Sequence, residues 1–254
     1  MMTTPTSNIS IDEFSKYVRL PQSVLYQHKI TESRYNDSSC ILIPYIDQKR
    51  QTIQTQIRLS NNGSDKWSWS KYNRPVFYGL HLLPSNKKIE KLLIVEGATD
   101  VIVANYNNVY AVGVAGANNF KPEMLNDLPL DNIESYYILN EQDDGGKTLI
   151  ESFSSLIEST SAFTDKCKVF NLGEHKDIVD LWKSFEPEGI TSNFAKALDT
   201  ALNNAVNLGA EEELFPDEVP ATIETPAPTP ATTATDSELS ENSVAETPPP
   251  APIT

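Results

Sequence analysis

The sequence predicts an α/β protein: an open parallel sheet preceded by a smaller α+β unit with an antiparallel meander. Three observations point there. From Lys91 onward, short apolar runs alternate with amphipathic stretches, the grammar of a parallel sheet. Two of those runs end in carboxylates, Leu92-Leu93-Ile94-Val95-Glu96-Gly97 and Tyr136-Tyr137-Ile138-Leu139-Asn140-Glu141-Gln142-Asp143. Upstream, shorter runs separated by turn residues read as hairpins.

The elements follow in order. Residues 1–10 are polar, lack an apolar signal-peptide core, and are expected to be disordered. A helical stretch from Ile11 to Lys29 is broken by Pro21 into two. Cys40–Tyr45 is a strand and Asp47–Arg50 a polar turn. Thr52–Leu59 alternates Ile53, Thr55, Ile57 and Leu59 with polar partners, Asn61-Asn62-Gly63 is a turn, and Lys66–Trp69 is a third strand. These fall in an N-terminal unit at 11–88. A second unit at 89–186 holds strands at 91–96, 109–112, 135–140 and 167–171, with helices at 98–107, 121–127, 146–158 and 177–185. A last helix runs from Ser192 to Asn207, within residues 187–208.

Charge separates the end of the chain from the rest. Formal net charge is -15, but residues 209–254 hold ten acids and no Lys or Arg, leaving 25 acids against 20 bases before them, a net of -5. Residues 215–254 also hold nine of the 17 prolines, a composition that cannot build a core, so 209–254 is expected to be a disordered tail. The mildly acidic remainder leaves room for basic patches. Cys40 and Cys167 are far apart and form no Cys-x-x-Cys pair, so no zinc is expected, and buried thiols in the cytoplasm are the simplest reading. No run approaches the ~20 apolar residues of a membrane span.

In a parallel sheet the strand C-termini share one edge, which brings Glu96, Glu141 and Asp143 together. Such carboxylates repel by about 1 to 4 kcal/mol per pair at ~4 Å, and a hard divalent cation is the usual remedy. Magnesium chemistry in turn commonly means phosphate. Asp144 reads as a helix N-cap and Asp180 as surface, whereas Asp177 is equally an N-cap or a ligand. His175 reads as surface.

Ile94-Val95-Glu96-Gly97-Ala98-Thr99-Asp100 resembles the first signature of TOPRIM domains, the catalytic modules of DnaG-type primases, topoisomerases and some nucleases. Glu141-Gln142-Asp143-Asp144-Gly145-Gly146 is similar to the Glu-Pro-Asp-x-Gly-Gly form of primase-like proteins from phages and mobile elements, with Gln in place of Pro. Lys176-Asp177-Ile178-Val179-Asp180-Leu181 resembles a third family element. Upstream, Arg19-Leu20-Pro21, Ile43-Pro44-Tyr45, Ile57-Arg58, Trp69 and Phe77-Tyr78-Gly79-Leu80 look like the segment preceding TOPRIM in those primases, so the resemblance spans residues 14–185.

The resemblance implies a nucleotidyltransferase that makes short RNA primers on single-stranded DNA from ribonucleoside triphosphates with Mg²⁺ or Mn²⁺. It implies Glu96 as general acid/base that also touches metal, Glu141 and Asp143 as primary ligands, and Asp100 and Asp177 as auxiliary ones. Gly97, Gly145 and Gly146 would lie near phosphate. Arg58, Lys66, Lys71 and Arg74 are candidates for a basic groove, with an ordinary half-buried sheet as the equal alternative. Trp67 and Trp69 are expected on opposite faces, so that only Trp69 joins the groove. The chain has neither a Cys-rich zinc module nor a Gly-x-x-x-x-Gly-Lys-Ser/Thr loop, so a separate helicase or zinc-binding replication protein is an expected partner. The rivals are a TOPRIM nuclease and a non-catalytic DNA-binding or assembly module.

Overall fold

The computed structural model describes residues 9–61, 67–70, 74–159, 163 and 165–208. The expected tail, residues 1–8, Asn62-Gly63, Lys66 and Lys71 lie outside the described residues. Two sheets share one continuous apolar core.

Chain order begins earlier than the sequence suggests. Ile9 is buried and donates its N–H to Ser39 O at 3.2 Å. Ser10 caps α1 (Ile11–Val18) in a capping box with Glu13, each satisfying the other's backbone N–H. Arg19 adopts the left-handed conformation after α1, and Pro21 precedes α2 (Gln22–Gln27), so the expected break is there.

The first sheet has the order β1-β2-β3-β4, all antiparallel: β1 (Thr31–Tyr35), β2 (Ser38–Ile46), β3 (Thr52–Arg58) and β4 (Trp67–Trp69). Strand β1 has no counterpart in the sequence reading. Its Thr-Glu-Ser-Arg-Tyr run is polar and largely exposed, as befits an edge strand, and its signal was the Asn36-Asp37 turn, both residues at positive φ. In β3 the polar partners prove the more deeply buried set: Gln54, Gln56 and Arg58 are all buried, facing inward beside Tyr45, Ile43 and Ile41 of β2.

The second sheet has the order β6-β5-β7-β8-β9. Strands β5 (Ile89–Glu96), β6 (Ala111–Val114), β7 (Ile133–Leu139) and β8 (Cys167–Phe170) are parallel. Leu92 to Val95 are fully buried because β5 is central and covered on both faces. Helix α3 (Ala98–Tyr106) is buried nearly all round, and α4 (Asp144–Ser159) crosses from β7 to β8. The expected helix at 121–127 is a 3-10 turn, Pro122–Asp127. The final helix, α6 (Ile190–Asn203), stops short of Asn207. Val206–Asn207 instead forms β9, antiparallel to β8. The reading of a four-stranded parallel sheet is thus extended by one antiparallel edge strand.

Helix α5 (Ile178–Lys183) binds the N-terminal helix to the second sheet. Trp182 is buried and its indole N–H donates to Val18 O at 3.1 Å. The Arg19 guanidinium donates to the carbonyls of Lys183 and Phe185, at 2.9 and 3.0 Å. Among the described residues no helix is long and apolar enough to cross a membrane.

Candidate active site

The strand order fixes where a site can form. From β5 the chain steps to β6 on one side, then returns to β7 on the other. The crevice beyond the C-terminal ends of β5 and β7 is therefore a topological switch point, where neighbouring connections part and leave room. Glu96 ends β5 and Glu141 follows β7 by two residues.

A cavity of about 290 Å³ opens there. One wall carries Glu96, Asp100, Glu141, Lys176 and Asp177, and the opposite wall carries Tyr17, Gln56, Arg58, Trp67 and Trp69. Both tryptophans line it, which corrects the expectation of opposite faces: residues two apart on a strand share a face. Tyr17, Gln56 and Lys176 were missed as site residues. The period of two through Arg58 would have found Gln56, and Lys176 stands in the Lys-Asp-x-x-Asp-Leu stretch.

The backbone around Glu96 explains the first motif. Gly97 sits at φ +97°, a conformation open to glycine, and donates its N–H to Val114 O at 2.8 Å. A Cβ there would meet only Asp100 Oδ2, at 3.6 Å, so conformation rather than space demands this glycine. Gly145 leaves room for the Glu96 carboxylate, since a Cβ at 145 would lie 2.6 Å from Glu96 Oε2 and 3.1 Å from Asp143 Oδ1. Glu96 and Asp143 thus flank one spot. Gly146 packs against the backbone of Glu141.

Asp143, not Asp144, caps α4: its Oδ1 accepts from the N–H groups of Gly145 and Gly146 at 3.0 and 3.1 Å. The positive end of α4, expected to favour phosphate, already faces a carboxylate. Asp143 Oδ2 also pairs with Lys176 Nζ at 2.9 Å. Lys176 first, aided by the two glycine N–H groups, holds the Asp143 carboxyl below its ordinary range. Asp177 is the N-cap of α5, accepting from Asp180 N–H at 2.7 Å. Asp180 is exposed and lies 3.5 Å from the ring of His175.

The other carboxylates are pushed the opposite way. Burial, then the neighbouring acids Asp100 and Glu96, raises Glu141 to about 9. Its Oε1 is buried without a hydrogen-bond partner. Burial and then Asp143 raise Glu96. Asp100 is buried, accepts from Val179 N–H at 3.1 Å, and is raised well above the carboxylate range by burial and by Asp177.

These groups fit a hard divalent cation in donor type, and the buried Glu141 Oε1 has no hydrogen-bond partner to hold it otherwise. Yet among the described residues no three acidic, His or Cys side chains are gathered at ligand spacing, and Lys176 already serves Asp143. The five expected ligands share one neighbourhood without forming a closed set.

The basic groove needs correction. Arg58 is buried, its guanidinium carbon 4.9, 4.6 and 4.4 Å from the ring centres of Phe14, Tyr17 and Trp67. It forms part of the cavity wall rather than an open cationic surface, because stacking on three rings is its compensation for lost water. Arg74 turns to Asp127 in an ion pair and does not line the cavity.

No family model matches the sequence, and no curated protein resembles it closely enough to count as a relative. Solved structures do resemble it. The DnaG catalytic core aligns at 17% identity and TM-score 0.59 over 84% of this chain and 78% of that one. The E. coli primase catalytic core aligns at 16% identity and TM-score 0.58, covering 81% and 75%. The primase fragment of the bacteriophage T7 primase-helicase aligns at 15% identity and TM-score 0.53, covering 79% and 81%. Two antiparallel and parallel sheets in this arrangement, with a carboxylate cavity at the switch point, give this chain the fold of the DnaG-type primase catalytic core.

Proposed function

We propose that this protein is a primase-type nucleotidyltransferase that makes short RNA primers on single-stranded DNA from ribonucleoside triphosphates. The observation that carries this is the two-walled cavity, with carboxylates facing two tryptophans and an amide. The aromatic wall suits base stacking, and the acidic wall suits a metal-bound phosphate. A DnaG primase catalytic domain of the same fold, 17% identical, is known bound to single-stranded DNA, which supports the choice of template. The Glu-Gln-Asp-Asp-Gly-Gly segment favours replication of a phage or mobile element, and in this reading a separate helicase or zinc protein is a partner.

Glu96 is the proton acceptor in this reading, its raised pKa bringing it closer to the working pH. Glu96, Glu141 and Asp143 would hold Mg²⁺ or Mn²⁺, with Asp100 and Asp177 behind them. When bound, the cation supplies charge neutralisation at the transferred phosphate. Trp67 and Trp69 hold bases, and Lys176 neutralises Asp143 until a cation takes that role.

The test is primer synthesis on single-stranded DNA with labelled ribonucleotides and either metal, beside Glu96→Gln and Asp143→Asn. Labelled oligonucleotides lost in both variants support the reading. Template cutting without nucleotides would replace it with a nuclease. A second reading, a non-catalytic DNA-binding module, is favoured by the Lys176–Asp143 pair. DNA binding with no product of either kind would select it.

A further inference from the structure

The first sheet has a second face, turned away from the acidic cavity. On β2, Ile41, Ile43 and Tyr45 point inward, so Leu42, Pro44 and Ile46 point outward, joined by Thr31 of β1 and by Thr52 and Thr55 of β3. A separate cavity of about 390 Å³ lies on this outer face, lined by those residues with Lys29, Arg50 and His81.

Two of its lining residues are cations. Lys29 follows α2 and Arg50 closes the turn between β2 and β3, both in the left-handed conformation, at φ 60° and 63°. Both are exposed, and neither has an ion-pair partner among the described residues. The nearest acid in that turn, Asp47, is buried and accepts the N–H of Gln51 at 2.9 Å. Between the two cations stands His81, whose ring nitrogens are both shielded from water and without a hydrogen-bond partner. Burial, then Arg50 and Lys29, lowers the His81 pKa, so both cations bear on this ring. His28 is the other titratable group close enough to sense it.

We propose that Lys29 and Arg50, beside the ring of His81, form a phosphate-binding site on the outer face of the first sheet, distinct from the acidic cavity. Two exposed cations on a pocket lined by three threonines and no acid supply charge and donors, while His81, its ring nitrogens shielded, senses the charge there without touching the ligand. The ligand is a phosphate group, carried either by a nucleic-acid backbone or by a free nucleotide. The proposal does not depend on primer synthesis, because the residues that carry it lie on the opposite face of the sheet.

The test follows the His81 imidazole resonances by NMR in the full chain while inorganic pyrophosphate, and separately a single-stranded oligonucleotide, is added. Both probes are repeated on Lys29→Gln/Arg50→Gln. Both side chains are exposed, so the variant keeps the wild-type melting temperature, which is measured alongside. Pyrophosphate is expected to shift the His81 signals and raise its titration midpoint, reversing the effect of the two cations. The double variant is expected to bind at least about tenfold more weakly, the scale of lost charge-assisted bonds. Displacement of pyrophosphate by the oligonucleotide assigns the site to a nucleic-acid backbone, and pyrophosphate binding alone assigns it to free nucleotides. Unmoved His81 signals with both probes, or binding retained by the double variant, would overturn the proposal. Loss of primer synthesis with this site intact would sink the catalytic reading alone.

Discussion

Gly145 and Glu96 are matched in space: a single added carbon at position 145 would lie 2.6 Å from the Glu96 carboxylate. The neighbouring Gly146 faces the backbone of Glu141 instead. The two glycines therefore separate in their effects. Gly145→Ala can be accommodated by turning Glu96 aside, and replacing glycine inside a helix returns up to about 1 kcal/mol. It is expected to leave thermal stability near wild type while lowering primer synthesis at least tenfold, as a misplaced reacting group does. Gly146→Ala must move the backbone at Glu141, just past β7, and is expected to cost about 1–3 kcal/mol by chemical denaturation. Equal effects of both on stability would contradict this assignment.

Asp100 ties α3 to α5 through the Val179 N–H. Asp100→Ala orphans that buried donor and is expected to destabilise by about 1–3 kcal/mol. Asp100→Asn keeps an acceptor and suits a carboxyl already driven toward its neutral form, so it is expected to cost less than about 1 kcal/mol. Urea unfolding of the pair checks both.

Glu141 makes metal-free stability depend on pH. Its folded pKa, about 9, stands above its ordinary 4.5, so the folded state holds one proton more than the unfolded state between those values. Its contribution is fully present below pH 4.5 and is lost as pH rises through 9. Stability is expected to fall by at most about 1.4 kcal/mol per pH unit in that window. Glu141→Gln should flatten the profile, measured by thermal unfolding from pH 6 to 9 in a chelator. A wild-type profile as flat as the variant's would refute it.

Arg58→Ala removes a guanidinium packed on three rings and empties part of the cavity wall. A loss of about 1–3 kcal/mol is expected, with Arg58→Lys recovering only part, because an ammonium lacks the flat face that stacks. If Arg58 were merely an open phosphate contact, both variants would keep wild-type stability and weaken DNA binding alone.

The central strands were legible because β5 and β7 are buried on both faces, and that leaves an unbroken apolar run in the sequence. The carboxylates that follow them were legible for the same reason, since strand ends fix where the next residue stands. The cap of α4 was misread by one residue: Asp143 and Asp144 are chemically alike, and only the turn geometry chooses. The cage of Arg58 was hidden because Phe14 and Tyr17 lie more than one element away in the chain. Strands β1 and β9 were hidden because edge strands need little apolar pattern. Gln56 and Arg58 of β3 are buried because they border the cavity, a site requirement that overrides the usual rule of apolar residues inward.

Strand β9 covers the outer edge of β8, and Tyr78 bridges the outer edge of β6, exchanging two backbone hydrogen bonds with Gly113 at 2.8 and 3.0 Å. Among the described residues each flank of the parallel strands thus carries a short added pairing, which shortens the ladder open to another chain. The same Tyr78 hydroxyl meets His28 Nδ1 at 3.1 Å, beneath the first sheet. One residue therefore ties the flank of the parallel sheet to the imidazole that follows α2, its backbone closing the edge and its hydroxyl holding the ring.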